Sequence, residues 1–273
     1  MSTQTLINGF ASDAVSYGNR GLHYGDGVFR TLLAHEGEIL YCEDHLAKLG
    51  EDCAALGLAM PPAEALLADT QQLLSARSRA VVKWLVTRCA GRRGYAPPGP
   101  QSDRIVHVDE APVYPARLWE RGVVARFAQL RLAIQPRLAG LKHLNRLEQV
   151  LAAAELQDGV DELLMCDALG HLVGGTRTNL FWVADEVLYT PRIQRCGVAG
   201  VMRRRILRLA AELGIAVQEV EASADALWSV EEGFICNALI GLWPLRRVEN
   251  RDWRSPGAVT QALALALAHP RLN

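Results

Sequence analysis

Apolar and polar positions along the chain follow two periods, and where the period changes the element changes. From residue 5 to residue 109, short alternating runs are interleaved with helical ones. TLINGF holds Asn8-Gly9 between apolar positions, a pair suited to the positive-φ sites of a tight hairpin. VFRTLLAHEGEILY predicts a second hairpin that turns at Glu36-Gly37. Leu46, Leu49, Cys53 and Leu56 then recur at helical spacing, with Gly57 placed to end that helix and Pro61-Pro62 to bar its continuation. A further helix is expected over 63–76. The strands AVVKWLVTR and RIVHVD follow, separated by the Gly/Pro-rich loop 91–100.

The two prolines of EAPVYPARLWERG mark a linker at 111–118 between a smaller N-terminal α+β domain, 1–110, and a larger C-terminal α+β domain, 119–273. The second domain starts with GVVARFAQLRLA. DELLMCDALGHLVGGTRTNLFWVADEVLYTP reads as three strands turning at 168–170 and 184–186. In MRRRILRLAAELG, Met202, Ile206, Leu209 and Leu213 line one helical face and Gly214 fits the C-terminal cap. A short helix from Ser223 and one strand, GFICNALIGLWPL, complete the pattern. No glycine fingerprint follows the first strand and the elements do not alternate as strand-helix-strand units, which argues against a dinucleotide-binding fold.

Composition narrows the function classes. Half of the 273 residues are apolar and 22% are charged, the profile of an ordinary globular protein. Twenty-nine basic against thirty acidic residues leave a net charge of -1 and no long basic run, so a nucleic acid is not expected as partner. MSTQTLING lacks the features of a signal peptide, and no apolar run reaches bilayer length, so no membrane association is expected and the cytoplasm is the default location. The six cysteines are scattered without C-x-x-C pairing, so neither a zinc site nor a disulfide framework is expected.

Three stretches carry candidate chemistry. In RLAGLKHLNRLEQVL, Asn145-Arg146-Leu147-Glu148 has the form of a capping box opening a helix whose Leu147, Val150 and Leu151 can face a core. Lys142 stands just ahead of it. It is either an ordinary solvated lysine or, if a cleft buries it, an amine with a lowered pKa that serves as nucleophile or base. In RCGVAGVMRRR, Gly197 and Gly200 precede a helix opening near Val201. That is either a plain turn or a set of unpaired N–H groups aimed at a phosphate. Asn237 in ICNALIG is either a turn residue or a second donor to the same anion. An amine together with two anion-binding segments is what pyridoxal 5'-phosphate requires.

YGDGVFRT, HLAKL, GRRGY, LAGLKHLNRLEQVL, TNLFWV, YTPRIQRCGVAGVMR and ICNAL together resemble the class IV aminotransferase family of fold type IV pyridoxal phosphate enzymes, and within it the aminodeoxychorismate lyase branch. The resemblance implies a two-domain α+β enzyme of the D-amino acid aminotransferase-like fold, a homodimer with the cofactor at the domain junction. It implies that Lys142 joins the cofactor aldehyde and that Val201, Met202, Asn237 and Ala238 hold the phosphate, with Lys48 as the supporting cation. Arg93 is the candidate for a substrate carboxylate. The implied reaction converts 4-amino-4-deoxychorismate to 4-aminobenzoate and pyruvate, a step of folate biosynthesis. A class IV aminotransferase acting on branched-chain or D-amino acids, or a catalytically impaired scaffold, are the alternatives.

Two positions depart from the family pattern. Where the family carries H-x-x-R-L, this chain has Lys48, a point charge without the guanidinium fork, which is also spaced to pair with Asp44 or Asp52. Where the family sets a glutamate against the pyridine nitrogen, VGGTRTN places Gly174. Three readings follow: a water or another acid, such as Glu148 or Asp167, takes its place; the lyase reaction needs less of an electron sink than transamination; or activity is lost.

Overall fold

In the computed structural model, which describes residues 4–74, 77–91, 93–253 and 255–272, the chain divides into two compact units. The first is Met1–Pro112 with Leu141–Asn145; the second is Val113–Gly140 with Arg146–Asn273. The short stretch bearing Lys142 therefore clusters with the N-terminal unit, although the chain on both sides of it belongs to the other.

The N-terminal unit comprises β1 (Thr5–Ile7), β2 (Phe10–Ala11), α1 (Arg20–Tyr24), β3 (Gly27–His35), β4 (Glu38–Ile39), α2 (Cys42–Ala55), α3 (Ala63–Leu74), β5 (Arg79–Arg88) and β6 (Ser102–Glu110). Its strands form one antiparallel sheet in the order β2-β1-β6-β5-β3-β4. Both hairpins turn where expected: Asn8 and Gly9, and Glu36 and Gly37, all have positive φ, the backbone of a two-residue turn that matches strand twist. The α3 helix is described to Leu74; the final two residues of the expected helix lie outside the described residues. Val28, Leu32 and Ala34 alternate along β3 onto one face, where Leu49 and Cys53 of α2 meet them in a core that also takes Trp84, Val106 and Leu66.

The C-terminal unit holds α4 (Arg117–Glu120), β7 (Val123–Leu132), α5 (Leu147–Ala153), β8 (Glu162–Asp167), β9 (Leu172–Gly175), β10 (Asn179–Ala184), β11 (Val187–Pro191), α6 (Val201–Glu212), β12 (Val217–Val220), a 3₁₀ turn (Ala224–Trp228), β13 (Glu232–Asn237), β14 (Gly241–Val248), β15 (Arg251–Asp252) and α7 (Ala258–Leu267). Its main sheet runs β12-β11-β10-β13-β14-β7-β8-β9, with β15 paired to β14. The fold is α+β, as the strand and helix pattern implies.

Four local expectations are corrected. DELLMCDALGHLVGGTRTNLFWVADEVLYTP holds four strands, β8 to β11, rather than three, because the chain also reverses between Gly175 and Asn179. GFICNALIGLWPL is not one strand but a hairpin, because the Asn237 side chain accepts from the Leu239 and Ile240 N–H groups and Gly241 takes positive φ, reversing the chain. The capping box does not form: α5 has Arg146 at its N-cap with no side-chain cap bond. Asn145 instead donates to the Gly25 carbonyl, and Glu148 accepts from the Ala133 N–H. Finally, Leu147, Val150 and Leu151 are exposed rather than facing a core; Ala152 is the buried position of that helix.

Candidate active site

The lysine-bearing stretch is held along the edge of β3. The Lys142 carbonyl accepts from Phe29 N–H at 2.9 Å, Leu144 N–H donates to Gly27 O at 3.0 Å, and Val28 and His143 form an antiparallel bridge. The Lys142 N–H donates to Asp52 Oδ2 at 3.1 Å, so both backbone polar groups of the lysine are satisfied within this unit. The side chain is half-buried, with Nζ 4.5 Å from the Phe29 ring centroid.

Asp52 belongs to a buried ion network that the two periodicities assemble. Arg30 falls on the core face of β3 between Val28 and Leu32, where an uncompensated guanidinium would be costly. On α2, His45, Lys48 and Asp52 recur at three- and four-residue intervals and are all buried. Asp52, fully buried, pairs with Arg30 through Oδ2 and with Lys48 through Oδ1. Lys48 Nζ also lies 3.8 Å from Glu51. Of the two pairings its spacing allowed, the Asp52 one forms. Burial pushes the His45 imidazole down to about 3; Arg30 adds to the shift, Asp44 opposes it and Lys142 adds a little more. His45 is therefore neutral at neutral pH, and its two ring nitrogens have no hydrogen-bond partner among the described residues.

Arg93 is exposed. Its loop is pinned by Arg20, which donates to the Gly94 and Tyr95 carbonyls at 2.9 Å while its Nε pairs with Asp26. Sequence reasoning missed Arg20; an arginine directly after the helix-capping Asn19 was the available signal.

The second unit carries the candidate anion-binding stretches. Helix α6 starts after Gly200 with no side-chain cap, so the Val201 and Met202 amides have no carbonyl one turn back and sit at the positive end of the helix dipole. Asn179 fixes the approach: Nδ2 donates to Val198 O at 2.8 Å and Oδ1 accepts from Gly200 N–H at 3.2 Å. A Cβ on Gly200 would collide with that same Oδ1, so a larger residue there needs the Asn179 side chain to move aside. Gly140 N–H donates to Gly197 O at 3.0 Å and its carbonyl accepts from Ala199 N–H, which ties the chain two residues before Lys142 to this loop. Asn237 uses its oxygen in the turn that presents Ala238 and its Nδ2 on Arg177 O at 3.3 Å.

The turn that leads from β9 to Asn179 is braced by Glu162, whose role the sequence did not announce. Its Oε1 accepts from the Leu163 and Thr176 N–H groups and from Thr176 Oγ1, and its Oε2 accepts from Thr178 Oγ1 at 2.9 Å. The Thr-x-Thr spacing in GTRTN is the visible trace of this arrangement.

At Gly174 no acid stands, and the backbone leaves little room for one: a Cβ there would lie 2.7 Å from the Thr178 carbonyl oxygen. Glu148 is engaged with Ala133 N–H. Asp167 is buried, which raises its carboxyl, but N–H donors from His171 and Leu169 outweigh burial and hold it below its ordinary value. It is committed to closing the β8–β9 turn. Burial lifts the thiols of Cys53 and Cys196 to about 11 and that of Cys236 to about 12, so none of the three is a nucleophile near neutral pH. Among the described residues no acid, histidine and cysteine cluster could hold a metal, and no helix is long and apolar enough to cross a membrane.

A family model described as amino-transferase class IV matches residues 27–248. The chain is 34% identical to an aminodeoxychorismate lyase of Vibrio harveyi, over 94% of this chain and 97% of that one. It superposes on the crystal structure of 4-amino-4-deoxychorismate lyase from Pseudomonas aeruginosa with a TM-score of 0.92 at 41% identity, covering 96% and 97% of the two chains. A branched-chain amino acid aminotransferase from Escherichia coli shares the fold at a TM-score of 0.80 and 24% identity, over 95% and 90%.

Proposed function

Because the chain belongs to the class IV aminotransferase family, we propose that it is a pyridoxal phosphate-dependent lyase that converts 4-amino-4-deoxychorismate to 4-aminobenzoate and pyruvate. The observation that carries this reading is its 41% identity to a solved lyase over nearly the whole length of both chains. The chemistry of its residues supports it.

Of three polar groups of the cofactor, its phosphate, its aldehyde and its ring nitrogen, the residues present suit the first two. The uncapped start of α6 suits a phosphate, which the amides of Val201 and Met202 would hold together with Asn237 and Ala238. By the resemblance Lys48 would be the supporting cation, with its ammonium shared with Asp52. Lys142 would join the cofactor aldehyde. At the third, the ring nitrogen, no carboxylate stands at Gly174 to keep it protonated.

Pyridoxal phosphate, when bound to the substrate amine, supplies an electron sink for the carbon next to that nitrogen. Lys142 Nζ takes the proton from that carbon. It then returns the proton to the methylene carbon of the departing enolpyruvate, which makes the methyl group of pyruvate, so one amine serves both transfers. Arg93, with its planar fork, would recognise a substrate carboxylate.

The missing acid at 174 separates this reading from an aminotransferase of branched-chain or D-amino acids. Transamination must store charge on the ring, whereas the lyase reaction is driven by formation of an aromatic ring. The test is pyruvate and 4-aminobenzoate release from aminodeoxychorismate with no keto acid present. Equal amounts of the two support the lyase; neither of them, but transfer of an amino group from a branched-chain or D-amino acid to a keto acid, supports the aminotransferase; no activity in either assay supports an impaired scaffold. A homodimer and a place in folate biosynthesis follow from the same reading. Sedimentation of the purified chain tests the first.

A further inference from the structure

Asp52 bonds to more than a buried carboxylate needs for its own neutralisation. One cation would balance it; it has two, Arg30 from β3 and Lys48 from its own helix. It also accepts the backbone N–H of Lys142 with the oxygen that meets Arg30. That N–H lies on a strap held against β3 by only a few backbone bonds: Lys142 O to Phe29, Leu144 N–H to Gly27, and the His143 bridge. The Asp52 side chain fastens the strap to α2, and it does so at the lysine itself. The two cations fix the carboxylate in place, because each holds one of its oxygens.

We infer that Asp52 is a positioning residue for Lys142: Arg30 and Lys48 hold its carboxylate so that it fixes the backbone from which the lysine amine projects. The inference rests on the reading of Lys142 as the reacting amine. The competing account makes Asp52 only a counter-ion for two buried cations, a role in which its bond to the Lys142 N–H carries no weight.

Removing Asp52 alone strands both cations and risks unfolding the unit, so the test removes one cation with it. Arg30→Met/Asp52→Leu and Arg30→Met/Asp52→Asn both lack the guanidinium and the carboxylate, but Asn keeps an oxygen that can accept from Lys142 N–H. Two properties are read in each variant after folding is verified by circular dichroism. The first is the hydrogen-exchange rate of the Lys142 amide in the protein without cofactor. The second is the rate at which added pyridoxal phosphate becomes fixed to Lys142 by borohydride. The expected result is an amide that exchanges about tenfold faster in the Leu variant, the loss of one hydrogen bond to a charged acceptor, with slower labelling of Lys142. The Asn variant restores both in large part. Wild-type behaviour of the Leu variant in both measurements overturns the inference, as does equal disturbance of the Leu and Asn variants. If wild-type protein shows no labelling of Lys142, the reading of that lysine fails, and amide exchange alone then decides whether Asp52 fastens the strap.

Discussion

Two buried carboxylates, Asp52 and Glu162, solve the same problem by opposite means. Asp52 is held by charge: two cations from separate elements converge on it. Glu162, equally buried, is held by neutral donors, two backbone N–H groups and two threonine hydroxyls. Its nearest cation, the half-exposed Arg177, stands 4.0 Å away. An ion network fails sharply when one member goes, because the remaining charges are left buried. A carboxylate held by neutral donors tolerates replacement by its amide much better. The N-terminal unit thus sets the Lys142 backbone with charged side chains, and the C-terminal unit shapes the approach to α6 with backbone amides, an asparagine and hydroxyl groups.

The largest expected effect is on catalysis. Lys142→Ala should abolish lyase turnover, a loss of about 10⁴-fold or more, since nucleophile and acid-base roles fall together; product release in a stopped assay measures it. Next, the carboxylate comparison itself: Asp52→Asn should destabilise the protein by about 3–5 kcal/mol, and Glu162→Gln by about 1–3 kcal/mol, both read from urea unfolding. Equal losses would erase the distinction between the two sites. Gly200→Ala forces Asn179 away from the 198–200 loop and should weaken cofactor uptake about tenfold, the equivalent of ~1.4 kcal/mol, in a fluorescence titration.

A smaller, pH-dependent effect follows from His45. Its folded value of about 3 lies below the ordinary histidine range, so between that pH and about 6.5 the unfolded chain binds a proton that the native protein does not. Stability should therefore fall as pH drops through this window, by at most about 1.4 kcal/mol per pH unit from this one group. His45→Leu should flatten that part of the unfolding profile. An unchanged slope would mean that the imidazole is protonated in the native state.

Much of this was legible in the chain, for identifiable reasons. Asn8-Gly9 and Glu36-Gly37 declare their turns because few residues accept positive φ. Leu49 and Cys53, and Met202 and Ile206, declare buried helix faces because burial imposes a period. The family motifs marked Lys142 and the start of α6. What could not be read depends on partners distant in sequence. Asn145 and Glu148 have the spacing of a capping box, yet each is drawn to a backbone group more than ten residues away. Arg30 and Asp52 look like an error on a core strand and an ordinary helix acid until α2 is laid against β3. Leu213, counted as part of the buried face of α6, is about half exposed at the C-cap where the helix ends.

The most direct test of the account is the absorption spectrum of the purified chain during titration with pyridoxal phosphate, followed by borohydride reduction and peptide mapping. A visible band that saturates at one cofactor per chain, with the reduced label on Lys142 and absent from Lys142→Ala, is the predicted result. A chain that develops no band at saturating cofactor, or that carries its label on another lysine, contradicts it.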